Sequence, residues 1–270
     1  MSKKQGLFLL LALWFAFCWC VLCAPTVAAQ PTKVLIIDSG IGRHQELPEI
    51  TRDRWYDAAT GYSMPYDASG HGTFVAGRVL DAYPEAELYI ANIRNPDGTY
   101  CLNALVKSIF WGIDKGAEVI NLSLAYEREY RPATYAIEAA AARGVIMVAS
   151  AGNDNSRAIP WPAIHPDVIA VGATDSHGNL ARYSNQGPAL DVVAFGGDPW
   201  GERVLGLKPG NCYGYGWGTS YSTPYVAGGI AKLKAELPGA PVDFVKTLFM
   251  LRLEKRELLQ GYGRGIYKGS

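Results

Sequence analysis

Cysteine and histidine are scarce in this chain, and runs of like charge are missing. Five cysteines occur in 270 residues, and Cys18, Cys20 and Cys23 all fall in an apolar N-terminal stretch. The remaining two, Cys101 and Cys212, permit either one bridge or two free thiols, and the sequence does not choose between them. Lysine and arginine total 25, against 25 aspartates and glutamates, with no basic patch. That balance gives nucleic acid no footing. Repeats, linkers and low-complexity segments are also missing, so a single domain is expected over residues 30–270. Beyond the N-terminus no apolar run is long enough to cross a bilayer.

What is present begins with a leader. Lys3 and Lys4 make a basic start, Leu7 to Ala24 is uninterrupted apolar sequence, and Val27-Ala28-Ala29 offers small residues for cleavage. Residues 1–29 therefore read as a signal peptide with Gln30 as the mature start. An uncleaved leader would instead be a membrane anchor, the one route by which this chain would meet a membrane. The expected location is exported, periplasmic or secreted, with the anchored form as the alternative. About 240 residues then remain, enough for a sizeable core.

Short β-branched runs alternate with helical patterns through that remainder. Val34 to Ile37, Leu88 to Ile93, Val119 to Leu124, Val145 to Ser150 and Val168 to Val171 are apolar on both faces. Strands of that kind belong to a parallel sheet covered on both faces. Leu102, Leu105, Val106, Ile109 and Ile113 share one helical face, and Ala133 to Arg143 closes on Gly144. The fold class is α/β: a mostly parallel twisted sheet between two helical layers. In such sheets ligands gather beyond the carboxyl ends of the strands.

Four stretches at such ends carry polar chemistry. The first strand ends in Asp38-Ser39-Gly40-Ile41. A carboxylate there must be hydrogen-bonded or paired, and it suits holding an imidazole in one tautomer; taken alone, it could equally be a turn acid capped by local amides. Gly70-His71-Gly72-Thr73 sets a histidine between glycines, open to a substrate. His44, His165 and His177 sit in contexts that fit structural roles. Ala151-Gly152-Asn153 places a side-chain amide where it could donate to an oxyanion, although asparagine is also ordinary turn chemistry. Gly218-Thr219-Ser220 delivers a serine to the start of an apolar helix, beside unpaired backbone N–H groups. Pro224 is expected in the first turn of that helix, where a missing N–H is no loss. Any one of these motifs is weak, since serine caps helices everywhere.

Together, in this order, they resemble the subtilisin-like serine peptidases, the subtilases. Supporting stretches are Pro-Gly-Asn-Cys-Tyr-Gly at 209–214, Val-Ile-Ala-Val-Gly-Ala at 168–173 and Gly-Tyr-Gly-Arg-Gly-Ile at 261–266, so the resemblance covers residues 31–270. It implies the subtilisin-like three-layer αβα fold and a serine endopeptidase that cuts peptide bonds through an acyl-enzyme. Ser220 would be the nucleophile, His71 the general base, Asp38 its orienting acid and Asn153 an oxyanion donor. Ser123, Leu124, Ala125 and Tyr126, with Gly98 in its own loop, would line an extended peptide, and Pro160 the base of the specificity pocket. Protein or peptide substrates are implied, with a monomer and neither cofactor nor metal expected.

The chain also departs from the family. Leu124-Ala125-Tyr126 stands where Leu-Gly-Gly is usual, which predicts a narrowed or roofed pocket. Ile159-Pro160-Trp161 shortens the pocket base. Tyr221-Ser222-Thr223-Pro224-Tyr225 replaces Met-Ala-Ser-Pro-His, read as helix repacking. Residues 78–84 lack the oxygen ligands that a calcium loop needs. No room is left for an inhibitory pro-domain between leader and domain. These departures keep alive a peptide-binding protein without catalysis. An esterase of the α/β-hydrolase kind is disfavoured, because no Gly-x-Ser-x-Gly elbow occurs.

Overall fold

The computed structural model describes residues 30–255 and 263–269, so the leader lies outside the described residues. Eight strands form one sheet in the order β10-β7-β6-β5-β4-β1-β3-β2, and every neighbouring pair is parallel. They are β1 (Lys33–Asp38), β2 (Trp55–Asp57), β3 (Glu87–Asn92), β4 (Val119–Leu122), β5 (Ile146–Ser150), β6 (Val168–Thr174), β7 (Val192–Phe195) and β10 (Ile266–Tyr267). A separate antiparallel pair, β8 (Val204–Lys208) and β9 (Cys212–Gly216), lies between β7 and the helix that carries Ser220.

Alternating side chains of the parallel strands feed two cores, as strands that are apolar on both faces require. Leu35, Ile37, Ile120 and Leu122 point to one face, Val34, Ile36, Val119 and Ile146 to the other. On the first face lie α2 (Leu102–Lys115) and α3 (Arg131–Ala141); on the second lie α1 (His71–Ala82), α4 (Thr219–Glu236) and α5 (Val242–Leu251). The expected three-layer αβα architecture is the one observed. The buried side of α2 is Ala104, Leu105, Ser108, Ile109 and Gly112. Leu102, Val106 and Ile113 are only half-buried, because small residues let the helix settle closer to β1. A Cβ on Gly112 would stand 2.3 Å from Leu35 Cδ2.

Two features of this layout set up the site. Chain order reverses around β1: β3 pairs on one side and β4 on the other. Asp38, the last residue of β1, therefore ends at the crevice where such sheets hold ligands. Helices α1 and α4 also meet at backbone distance. Gly228 allows this, since a Cβ there would lie 2.4 Å from the carbonyl oxygen of Val79 and 2.8 Å from Ala82 Cβ.

Pro224 departs from expectation. The helix starts at Thr219, so Pro224 falls in its second turn rather than its first. A proline there removes the N–H that would bond the carbonyl of Ser220, four residues back. The neighbouring strand makes good the loss: Ser123 Oγ donates to that carbonyl at 3.0 Å.

Candidate active site

The Asp38 carboxylate, 2% exposed, accepts the N–H of Ser39 at 2.7 Å and meets His71 Nδ1 at 2.8 Å. A carboxylate only accepts, so Nδ1 carries the proton and Nε2 keeps its lone pair free. Burial of the imidazole opposes its positive charge. The charge and hydrogen bond of Asp38, with Asp67 behind, outweigh that, and Lys208 pulls the other way; the net effect raises the pKa of His71 above its ordinary value.

His71 opens α1, and its placement is fixed from below by a residue that the motif reading overlooked. Asp67 is buried. Its Oδ1 accepts the N–H of Gly70 at 2.8 Å and Ser39 Oγ at 2.9 Å. Its Oδ2 accepts the N–H and the hydroxyl of Thr73 at 2.8 and 2.7 Å. Asp67 thus caps the free N–H groups at the start of α1 from three residues outside the usual cap position. Ser39 Oγ also accepts the N–H of Gly72 at 2.9 Å, tying the helix to the loop after β1. The approach is close: a Cβ on Gly72 would fall 2.1 Å from the carbonyl oxygen of Gly40. The local sequence Asp67-x-Ser69-Gly70 is a capping pattern that could have revealed this acid.

Ser220 is the second residue of α4, so its N–H has no partner inside the helix. Its Oγ donates to the carbonyl of Ser123 at 3.4 Å, a long contact, while Ser123 Oγ returns the bond to the Ser220 carbonyl. Asn121 Nδ2 supports Ser123 Oγ at 3.0 Å. Among the described hydrogen bonds, none joins Ser220 Oγ to His71, so the structure brings Asp38 to His71 and Ser220 to Ser123. Tyr221 bridges the two groups: its ring lies 5.6 Å from the His71 ring and 4.2 Å from that of Phe74. Tyr100 and Tyr221 both lie near enough to Asp38 that its charge adds to burial in raising their phenol pKa values. Tyr100 is a second neighbour that the sequence reading did not single out.

Asn153 stands on the other side of Ser220. Its Oδ1 accepts both the N–H and the hydroxyl of Thr219, at 2.9 and 3.0 Å. Two donors on the oxygen fix the amide and turn Nδ2 outward on an exposed side chain. Nδ2 and the Ser220 N–H are left as two donors of the kind that an oxyanion site uses.

The residues expected to hold substrate are spread along the rim. Ser123 and Leu124 are buried at the end of β4, and Ala125 is exposed. Tyr126 pairs with Trp161 through two backbone bonds, N–H to carbonyl at 2.7 and 3.2 Å, with rings 5.8 Å apart. Its ring packs against the core beside α2 and its hydroxyl is buried, so the phenol adds bulk to the wall instead of reaching into solvent. Burial pushes its pKa up to about 12. Pro160 stands 3.3 Å from the position that a Cβ on Gly152 would take. Gly98 closes a separate turn, donating to the Asn95 carbonyl at 3.0 Å. Cys101 and Cys212 are both free thiols. Among the described residues, no three His, Cys, Asp or Glu groups gather as a metal site, and no helix is long and apolar enough to cross a membrane.

Comparison with known proteins bears on this geometry. The model of the subtilase family matches residues 30–265. Subtilisin DY of Bacillus licheniformis is 36% identical over 252 residues, covering 87% of this chain and 88% of its own. Subtilisin BL of Lederbergia lenta is 34% identical over 215 residues, covering 76% and 77%. Among solved structures, a lanthipeptide protease matches with a TM-score of 0.80 at 22% identity, over 88% of this chain and 86% of that one. The epidermin leader peptide processing serine protease of Staphylococcus aureus matches at 0.77 and 23%, over 88% and 73%. At those identities the structural matches speak for the fold alone.

Proposed function

The chain belongs to the subtilase family of serine-type peptidases, and from that premise we propose that it is an exported endopeptidase in which Asp38, His71 and Ser220 act as the triad. The observation that carries the proposal is the 2.8 Å contact between a buried carboxylate and His71 Nδ1, at the sheet's crevice. On this proposal Ser220 Oγ leaves the Ser123 carbonyl for His71 Nε2 as substrate binds; catalytic hydrogen bonds are often long before that.

In this reading, Ser220 Oγ attacks the substrate carbonyl while Nε2 takes its proton. Asp38 stabilises the imidazolium that results. The carbonyl oxygen, now negative, sits between Asn153 Nδ2 and the Ser220 N–H. Collapse expels the amine, which takes the proton back from Nε2, and water repeats the sequence on the acyl-enzyme. Main chain at Ser123–Leu124 supports the acyl half of an extended substrate, and the Cβ of Ala125 with Pro160 narrows the pocket for the residue before the cut. The leader supports export, cleaved before Gln30.

The test compares wild type with Ser220→Ala. The wild type should take up a fluorophosphonate probe and cut unfolded casein, and the variant should do neither. Equal casein cleavage by both forms would refute the assignment of Ser220. Export is checked separately, by whether the mature chain in culture medium or periplasm begins at Gln30.

A further inference from the structure

The β8–β9 hairpin and the loop after β1 enclose a cavity that the proposed mechanism does not use. Its volume is about 480 Å³, and its apolar wall includes Ile41, Leu47, Pro48, Ile50, Met64 and Pro65. Arg43 and Glu49 at its rim are of opposite charge, so the cavity favours an apolar occupant over a charged one.

Its position relative to His71 follows from three contacts. His71 adjoins Gly70, and a Cβ on Gly70 would lie 3.1 Å from Pro209 Cδ. Pro209 in turn covers Gly42, where a Cβ would fall 2.6 Å from the proline ring, and Gly42 lines the cavity. The histidine that protonates a leaving amine must stand on the leaving group's side of the scissile bond. The cavity adjoins the loop that carries His71, and no residue of the Ser123–Leu124 strand lines it. The surface of the hairpin continues toward the nucleophile. Tyr213, Tyr215 and Trp217 are 49%, 70% and 40% exposed at alternate positions, three residues short of Ser220 at the last. An extended peptide repeats its side chains with the same period of two.

His44 supplies an independent sign of a missing ligand. It is 6% exposed and lines the cavity. Its Nδ1 accepts the N–H of Glu46 at 3.1 Å, so the proton of the neutral ring is on Nε2. Nε2 is buried with no hydrogen-bond partner among the described residues. A buried donor without an acceptor is costly, so a small turn of the ring toward the carbonyl of a peptide in the cavity would be favoured. Tyr213 fixes the ring from the hairpin side, edge to face at 5.1 Å, and its own hydroxyl donates to Glu46.

We propose that this cavity is an anchoring site for the departing half of the substrate, selecting polypeptides with a bulky apolar side chain a few residues after the cut. The proposal rests on the peptidase reading above. Its test uses fluorogenic peptides identical up to the cut. One series carries a Gly/Ser tail with a single Phe moved through successive positions, one carries the Gly/Ser tail alone, and one ends in a small chromogenic amine. Wild type should cut the best Phe-bearing peptide about tenfold more efficiently than the plain tail, through a lower KM. Met64→Asp, at a position 65% exposed and so tolerant of the change, should erase that preference and leave the chromogenic amide unaffected. A peptide made of the Phe-bearing tail alone should inhibit wild type competitively and Met64→Asp far less. Equal cleavage of all tails by wild type, or an equal loss on every substrate in the variant, overturns the anchoring site. Failure to cut the small amide at all would instead overturn the peptidase reading.

Discussion

Pro224 and Ser123 should be energetically coupled although they lie on different elements. The proline leaves the Ser220 carbonyl without its helical partner, and Ser123 Oγ occupies the gap at 3.0 Å. Ser123→Ala removes that donor and leaves the carbonyl uncapped against the end of β4, also releasing Asn121 Nδ2. An unsatisfied buried group costs about 1–3 kcal/mol. In a Pro224→Ala background the restored N–H of residue 224 takes the carbonyl itself, so Ser123→Ala should then cost roughly 1 kcal/mol less. For a domain of this size 1 kcal/mol moves the melting temperature by about 2–4 °C. The cycle is best run on Ser220→Ala, whose backbone keeps the contact while unfolded chains escape digestion. Thermal or urea unfolding of the four variants gives the coupling term. If the two substitutions add to within about 0.3–0.5 kcal/mol, the range for independent sites, the strand does not replace the helix bond and the account of the proline is wrong.

Other outcomes follow from the same site. Asp38→Asn should lower kcat about 10⁴-fold, because an amide facing Nδ1 favours the wrong tautomer; a loss under tenfold in a steady-state assay would remove Asp38 from the triad. Activity needs the neutral ring of His71, so the acid limb of kcat/KM should have its midpoint above 6.5, the ordinary value. In Asp38→Asn, burial without the neighbouring charge should move it lower, and an unmoved midpoint would contradict the assignment. The sign for stability is opposite: the raised pKa contributes stability fully below about 6.5 and loses it as pH climbs through the folded value. Asp67→Asn must turn an amide toward at least one buried N–H of α1, for about 3 kcal/mol, or roughly 6–12 °C in melting temperature; a shift below 2 °C would show that the cap is dispensable. In the mature chain Cys212 should react with a thiol reagent at once and half-buried Cys101 more slowly, and a missing thiol before reduction would indicate a bridge.

The parallel sheet was legible because its central strands are apolar on both faces, and β1, β3, β4, β5 and β6 lie where those runs fall. The shorter elements were not. Three-residue β2 and two-residue β10 carry no pattern of their own and exist through pairing with β3 and β7. Strand β9 alternates glycine with tyrosine, which reads as a glycine-rich approach to the serine; in space Gly214 lies against Lys208 and Gly216 against Tyr221 while Tyr213 and Tyr215 face out. The same blindness to context put Pro224 one turn too early, since nothing in the helix itself reveals a hydroxyl waiting on another strand. Asp38, His71, Asn153 and Ser220 stood out through their glycine-rich surroundings. Asp67 did not, because its worth lies in N–H groups that only the folded start of α1 brings together.

The meeting of α1 and α4 at Gly228 has a bearing on how substrate enters. Helices in contact at main-chain level cannot hinge apart without breaking the core between them, so the groups they carry hold their spacing before any peptide arrives. Adaptation must then come from the rim, from side chains such as Tyr215 and Trp217 and from the guest chain straightening along it. The free energy of docking is left to shape the peptide, with little spent on assembling the enzyme.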